Sequence, residues 1–380
     1  LKNILILHGS SDLYGASKIL LTTVKILVAH GYQVTVVLSE NGPLVDELNK
    51  LPVRVIIHKL GILRRKYFTP RGLLNRMRAL RKAYQEVNRI VSDQNINLIY
   101  SNTTAVLVGA FVARRRKIKH IWHIHEIIKS PRFLVKFLSF LLDRYASCII
   151  VVSNEVKSYW EKTLKADNIT VIHNGIDYDE YQIKNDLLRI ELNIPEDRVV
   201  IGMIGRINGW KGQGYFLKIA SELRAKYKNL EFVMAGDSFP GYEYLLDDLK
   251  LEIKKAGLED SLHLLGFRND IPNILSSLDI FILPSVLPDP FPTVILEAMA
   301  SAKPVVATNH GGAIEMIEHN QSGILIPFNN AAEAASKVEP LIRDRAKRAL
   351  MGRNGRSRVL EEFSLTNYEN SLLRITDALI

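Results

Sequence analysis

At 380 residues, 47% hydrophobic and 24% charged, the chain has the length of two ordinary domains and the composition of a soluble globular protein. Its longest near-apolar run, Phe133 to Leu142, is interrupted by Lys136 and falls short of the roughly 18 residues of a membrane-spanning helix; the single Cys148 excludes an internal disulfide framework. The net charge of +10 is uneven, with 27 Lys and Arg against 14 Asp and Glu through residue 180, and 23 against 26 beyond it. Arg64-Arg65-Lys66, Arg76 to Lys82 and Arg114 to Lys117 carry most of the excess, as solvated helix faces or as a surface for anionic lipid or nucleic acid.

The chain opens on "KNILILH", Lys2 to His8, a strand-like run too short for the apolar region of a signal peptide. With the lone cysteine, this favours a reducing, cytoplasmic setting. Strands are expected at Ile4–Leu7, Val34–Leu38, Val53–Ile57, Leu98–Tyr100, His120–Ile124, Cys148–Val152 and Thr170–Ile172. A charged passage from Tyr178 to Arg198 interrupts the pattern. It restarts at Val199–Ile204, Glu231–Ala235, Leu262–Leu264, Ile280–Leu283, Val305–Thr308 and Gly323–Ile326. Near-continuous apolar strands alternating with helical patterns predict parallel sheets covered on both faces. Two such series predict an α/β protein of two doubly wound, Rossmann-like domains, residues 1–180 and 181–364, with a cleft between them. Ligands in this architecture bind at the carboxyl ends of the strands.

The first strand is followed by "HGSSDLYGASK", His8 to Lys18, with Gly15 before a helix. Neither Gly-x-Gly-x-x-Gly nor Gly-Lys-Ser/Thr is present there, which counts against a dehydrogenase and a P-loop nucleotidase. After Val199–Ile204 comes "GRINGWKG", Gly205 to Gly212, whose glycines let backbone N–H groups approach an anion. Arg206 and Lys211 can converge there on one phosphate group. Further on, "PSVLPDPFPTVILEAMASAKPVVAT", Pro284 to Thr308, sets Asp289 between two prolines that hold the segment extended. Thr293 then caps or opens a helix that is apolar almost all round, with Glu297 inside it. A carboxylate in that company needs a partner, a ligand or the helix dipole, because an unpaired buried charge is costly. Two cations near two separated carboxylates suit a ligand with a charged middle and a sugar at each end, as in a nucleoside diphosphate sugar.

Over nearly its whole length the chain resembles the family 4 retaining glycosyltransferases of the GT-B fold, the group 1 glycosyltransferases. The resemblance rests on Asp289 and Glu297 with seven residues between them, and on "AKPVVAT" from Ala302 to Thr308. Gly205-Arg206 with Lys211-Gly212, Asn174 to Asp177, His125-Glu126, Gly311-Gly312 followed by Glu315, and "SGILIP" from Ser322 extend it. The resemblance implies transfer of a sugar from a UDP- or GDP-linked donor to an acceptor hydroxyl with retention, in cell-surface polysaccharide or glycolipid synthesis, without a metal or other cofactor. It implies that Arg206 and Lys211 neutralise the leaving diphosphate, doing the task a metal performs elsewhere. Glu297 would accept hydrogen bonds from the ribose hydroxyls and Asp289 would hold the transferred sugar. Backbone groups from Phe291 through Pro292 and Thr293 to Val294 would border sugar and diphosphate, those near Phe267 and Arg268 the base. Gly15, Gly205 and Asn174 would line the donor, and His125 would face the sugar. The first domain would take the acceptor, saccharide or lipid-linked, at the inner face of the plasma membrane, and a last helix from about Leu365 to Ile380 would cross back onto it.

The chain departs from the family pattern at several points. Asp289 stands where the family has Glu, Pro292 where a Gly usually follows Phe291, and Ala302 where a Gly precedes Lys-Pro; the first helix is preceded by the single Gly15 and not by a glycine pair. Each bears on which sugar is held. His123 and His125 alternate along "IWHIHE" as two metal ligands would, but no third ligand lies nearby in sequence. The alternatives are a GT-B sugar-nucleotide epimerase or phosphorylase, or a non-catalytic nucleotide-sugar or nucleic-acid-binding protein. Tyr67, Phe68 and Tyr84 are the few aromatics interleaved with the basic clusters, which weakens a base-stacking platform.

Overall fold

The computed structural model describes residues 2–380 except 64–66, 68, 129, 166 and 240. The cluster Arg64-Arg65-Lys66, Phe68 and Lys129 therefore lie outside the described residues. The chain divides into two compact units: Leu1–Ile176 with Leu365–Ile380, and Asp177–Ser364. The first division falls inside the Asn174 to Asp177 element.

The first unit is built on seven strands: β1 (Asn3–His8), β2 (Gln33–Leu38), β3 (Arg54–Ile57), β4 (Leu98–Asn102), β5 (Lys119–Ile124), β6 (Cys148–Val151) and β7 (Ile169–Val171). All pair in parallel, in the order β3-β2-β1-β4-β5-β6-β7. The apolar runs of β1, β2 and β4 are buried throughout their middles, as strands covered on both faces require. The crossovers include α1 (Gly15–Ala29), α2 (Pro43–Asn49), α3 (Pro70–Asp93), α4 (Val108–Arg116), α5 (Arg132–Tyr145) and α6 (Asn154–Glu161). Thr69 starts α3 by accepting from Gly72 N at 3.1 Å, with Pro70 at the first helical position.

Polar residues end two central strands. His8 closes β1 and pairs in register with Asn102, the last residue of β4, which pairs on its other side with His123 of β5. Strand order reverses here, since β1 is followed by β2 on one side and β4 lies on the other; the crevice outside such a switch point is where doubly wound sheets bind ligands.

The second unit carries β8 (Val199–Ile204), β9 (Leu230–Ala235), β10 (Leu262–Leu264), β11 (Ile280–Leu283), β12 (Val305–Thr308) and β13 (Gly323–Ile326), all parallel in the order β10-β9-β8-β11-β12-β13. The charged passage from Tyr178 to Arg198 holds a 3-10 turn, Asp179–Gln182, and the short α7, Leu187–Glu191. The unit's other helices are α8 (Gln213–Lys226), α9 (Tyr244–Lys255), α10 (Ile271–Ser277), α11 (Thr293–Ala300), α12 (Ala313–Met316), α13 (Ala331–Arg343) and α14 (Arg345–Glu362). Its switch point lies between β8 and β11, so the loops leaving those two strands, Gly205 to Gly212 and Pro284 to Pro292, flank one crevice.

The last helix, α15 (Leu365–Leu379), belongs to the first unit and packs against α1. Tyr368 is buried there with its hydroxyl 2.6 Å from Thr23 Oγ1. Lys2 meets Asp377 at 3.1 Å, and the Tyr32 hydroxyl donates to the same carboxylate.

Candidate active site

In the second unit the site is a meeting of two loops. Asn208 Oδ1 accepts from Trp210 N at 3.1 Å and Lys211 N at 2.9 Å, a side-chain turn that curls the loop after β8. Gly212 follows at φ 86°, and a Cβ there would lie 1.9 Å from Pro284 O. Only glycine lets this loop close against the one after β11. Val286 N then donates to Trp210 O at 2.8 Å. The result is an ion pair, Lys211 Nζ to Asp289 Oδ2 at 2.5 Å, with both side chains largely buried. Behind Asp289, Gly312 N donates to its carbonyl at 2.8 Å, and Gly311, at φ 65°, has no room for a Cβ against the same residue's backbone.

Arg206, on the loop with Lys211, is buried, and its guanidinium carbon lies 3.3 Å from the centre of the Phe239 ring. Such stacking holds the planar cation by its face, an orientation in which its N–H fork suits a bidentate acceptor such as phosphate. Gln213 Nε2 donates to Arg206 O at 2.9 Å and fixes the backbone beneath it. Phe239 was not singled out by the sequence, since an aromatic in a Ser-Phe-Pro loop carries no signal of what it faces.

Thr293 opens α11 without capping it; the capping position falls to Pro292. Glu297 is 3% exposed within that helix. Its charge is felt by Tyr181 of the 3-10 turn, whose phenol is pushed far up, first by burial and then by the Glu297 carboxylate. The centre of the Phe291 ring lies 5.7 Å from that of Phe363. The Arg268 guanidinium is committed to Glu191 at 2.7 and 3.1 Å and to Asp270 at 2.7 Å, while the Phe267 ring is half exposed.

The first unit holds the remaining candidates. Gly15 begins α1 in open space, with nothing within 4 Å of a Cβ placed on it. Asn174 is buried with its Oδ1 unbonded. His125 Nε2 lies 2.9 Å from Asn102 Oδ1, and its ring stacks 4.0 Å from that of His123, whose Nδ1 meets the Tyr100 hydroxyl at 2.6 Å. His123, on β5, and His125, one residue past its end, thus have separate partners, and among the described residues no group of three or more ligating side chains could hold a metal ion. Glu126 Oε2 accepts from Thr104 N and Thr104 Oγ1 at 3.3 Å and from His125 N at 3.2 Å; burial nonetheless pushes its carboxyl up to about 7.

Two Rossmann-like sheets, each with polar and charged residues gathered at its switch point, are the framework of a GT-B protein that binds a nucleotide-type ligand. Sequence comparison narrows this. The model of "Glycosyltransferase Family 4" matches residues 14–180 and that of "Glycosyl transferases group 1" residues 184–358, and the chain belongs to this family of retaining GT-B glycosyltransferases. It is 26% identical to the Escherichia coli UDP-Gal:alpha-D-GlcNAc-diphosphoundecaprenol alpha-1,3-galactosyltransferase over 93% of this chain and 91% of that one. Identity is also 26% with the Campylobacter jejuni N,N'-diacetylbacillosaminyl-diphospho-undecaprenol alpha-1,3-N-acetylgalactosaminyltransferase, over 83% and 84% of the two chains. The crystal structure of Anabaena HepE in complex with UDP-glucose superposes with a TM-score of 0.88 at 26% identity, over 99% of this chain and 100% of that one.

Proposed function

We propose that the chain moves a hexose-type sugar from a UDP-linked donor to a hydroxyl of a lipid-linked saccharide, with retention at the anomeric carbon, in the assembly of a cell-surface polysaccharide or glycolipid. The observation that carries this reading is the pair Lys211–Asp289 at 2.5 Å, on loops leaving the two switch-point strands, with Arg206 on the same loop as Lys211. Arg206 and Lys211 neutralise the diphosphate as its bond to the sugar breaks, so the reaction needs no metal. Asp289 then takes a hydroxyl of the sugar and Glu297 the ribose. The backbone of Phe291, Thr293 and Val294 borders the diphosphate; Pro292 has no N–H to give. Phe267 and the backbone of Arg268 flank the base, while Gly15, Asn174, Gly205 and His125 complete the donor's surroundings. The relatives that use uridine donors and diphospho-undecaprenol acceptors support UDP and a lipid-linked acceptor.

Among the described residues no helix is long and apolar enough to cross a membrane. The chain reaches its acceptor by lying on the inner face of a membrane, through the basic first unit. Incubation with a panel of UDP-sugars and a polyprenyl-diphosphate-linked sugar, reading UDP release and the anomeric configuration of the product by NMR, tests the proposal. Acceptor-dependent UDP release with a retained anomer and undiminished by chelator is expected. An inverted product, or UDP release indifferent to acceptor, overturns it.

A further inference from the structure

The strand ends of the first unit carry a continuous line of hydrogen bonds that stops at His125. Asn102 Oδ1 meets His125 Nε2 at 2.9 Å, and Asn102 Nδ2 meets His8 Nδ1 at 3.0 Å. His8 Nε2 meets Ser17 Oγ at 3.0 Å, and Ser17 Oγ meets Asp12 Oδ1 at 3.0 Å. Asp12 is itself anchored: its Oδ1 accepts from Tyr14 N at 3.1 Å and its Oδ2 from Ser10 Oγ at 2.9 Å.

His8 Nδ1 also lies 3.4 Å from Asn102 O, but a proton there would leave His8 Nε2 and Asp12 competing for the one Ser17 proton, so the line runs in one direction. A carboxylate can only accept, so the single Ser17 proton points to Asp12. Ser17 Oγ must then accept from His8, which places the His8 proton on Nε2 and leaves Nδ1 as a lone pair. That lone pair needs a donor, and Asn102 Nδ2 supplies it. The second proton of the same amide nitrogen faces Ala16 O at 3.4 Å, which agrees with this orientation of the amide. Asn102 Oδ1 is left to accept from His125, whose proton must sit on Nε2. Turning the Asn102 amide over would demand two protons of Ser17.

We infer that Asp12, Ser17, His8 and Asn102 are positioning residues that lock His125 in its Nε2–H tautomer, so that its Nδ1 presents a lone pair to a hydroxyl of the reacting saccharide. The first half of this stands on the hydrogen bonds alone; the second rests on the proposed function. Burial holds both rings neutral at neutral pH, taking His8 down to about 4 and His125 well below the usual histidine value, the latter further lowered by His123 and His8. The other groups around the His125 ring are the neutral His123, at 4.0 Å between ring centres, and the Glu126 carboxyl, which accepts from the His125 backbone N–H. Neither offers Nε2 a competing acceptor in place of Asn102.

The test is a long-range proton–nitrogen spectrum of the full chain with 15N-labelled histidine at pH 7, with the His125 signals assigned by their loss in His125→Gln. The wild type should show His125 protonated on Nε2. Ser17→Ala and Asn102→Ala should each mix the tautomers and lower kcat about 10- to 100-fold, the scale of one misdirected hydrogen bond, with UDP affinity unchanged. Ser17→Thr, which keeps the hydroxyl, should restore both readouts. The burial of Trp122 and Trp160 in the same unit makes their fluorescence a check that each variant is folded. A wild-type His125 protonated on Nδ1, or a tautomer unmoved in both folded variants, overturns the relay. A tautomer that shifts with no change in kcat upholds the relay and overturns the placement of His125 at the sugar.

Discussion

Asp289 and Lys211 compensate one another in the ligand-free protein, and this changes what their substitution should do. Each is more than four-fifths buried at the side chain, so the carboxylate lowers the cost of keeping the lysine charge in a poorly solvated crevice. Asp289→Asn leaves that cation for the diphosphate alone. UDP affinity should therefore hold or tighten, while transfer falls at least about tenfold because the sugar hydroxyl loses its charged acceptor. Lys211→Ala removes a charge-assisted contact of about 1.5–3 kcal/mol, and UDP should bind about 10- to 100-fold more weakly. Glu297→Gln should weaken UDP and the whole UDP-sugar by the same factor, since the ribose is common to both. Calorimetry with UDP and with donor on the three variants checks this; Asp289→Asn losing UDP affinity as severely as Glu297→Gln would end the reading of the two acids as serving opposite ends of one donor. The spacing of Asp289 and Glu297 was legible in sequence through the family resemblance. The ion pair was not, because Lys211 and Asp289 lie 78 residues apart on two loops that must fold against each other.

Those loops depend on one glycine. Gly212 holds a positive φ and would place a Cβ 1.9 Å from a main-chain oxygen, whereas Gly209 in the same loop has nothing within 4 Å. Gly212→Ala should cost roughly 1–3 kcal/mol through backbone strain and forced separation of the loops, and should abolish transfer. Gly209→Ala should leave both stability and transfer near the wild type. Thermal unfolding and UDP release on the pair decide it; equal tolerance at both positions would show that the loops do not rely on this contact. At this scale the alternation of apolar runs located most of the framework: β8, β10, β11, β12 and β13 have the bounds that their Val, Ile and Leu content predicts. β2, β3, β5, β6, β7 and β9 differ by a single residue at one or both ends, and the differences that reach polar strand ends of the site fall at β1 and β4. Apolar content alone ends them at Leu7 and Tyr100, yet pairing carries them on to His8 and Asn102, because parallel partners satisfy the backbone there whatever the side chain. Polar residues at strand ends look like loop to a pattern search, and these include two members of the line that reaches His125.

Across the molecule, buried histidines should set the response to acid, and a basic apolar face should set any response to membranes. Burial lowers His8 and His120 to about 4 and His123 to about 3, each beneath an unfolded value near 6.5. The unfolded chain then binds more protons between those values, so stability falls as pH drops from about 6.5 towards 4. Glu126, raised to about 7, acts oppositely: its carboxyl is easier to bury when protonated, so stability declines as pH rises from about 4.5 to 7. These three histidines, with His125 lowered in the same sense, outweigh one carboxyl, and the first unit should be less resistant to urea at pH 5 than at pH 7. Glu126→Gln should deepen that acid loss by removing the opposing group. Tryptophan fluorescence, two of whose three sources are buried in the first unit, follows this; equal resistance at both pH values would refute it. On the surface of the same unit, α5 buries Leu134, Val135, Leu138, Leu141 and Leu142 and turns Phe133, Phe137 and Phe140 outward. Steps of four and three residues put these rings on one exposed face, with Arg132, Lys136 and Arg144 also exposed along the helix. On α3, Leu73, Leu74 and Met77 are exposed among Arg71, Arg78, Arg81 and Lys82. Apolar rings amid cations suit the headgroup region of an anionic bilayer, where each buried Phe contributes about 1.5–3 kcal/mol and each nearby Lys or Arg about 1 kcal/mol. The two contributions separate by salt, because charge attraction is screened over a Debye length of about 8 Å at physiological ionic strength while burial of a ring is not. The chain should therefore sediment with phosphatidylglycerol vesicles at low salt and retain part of that binding at physiological salt. Replacing Phe133, Phe137 and Phe140 by Ser should remove the retained part and leave the low-salt part; absence of binding to anionic vesicles at either salt, or retention unchanged in the triple variant, would detach α5 from the membrane.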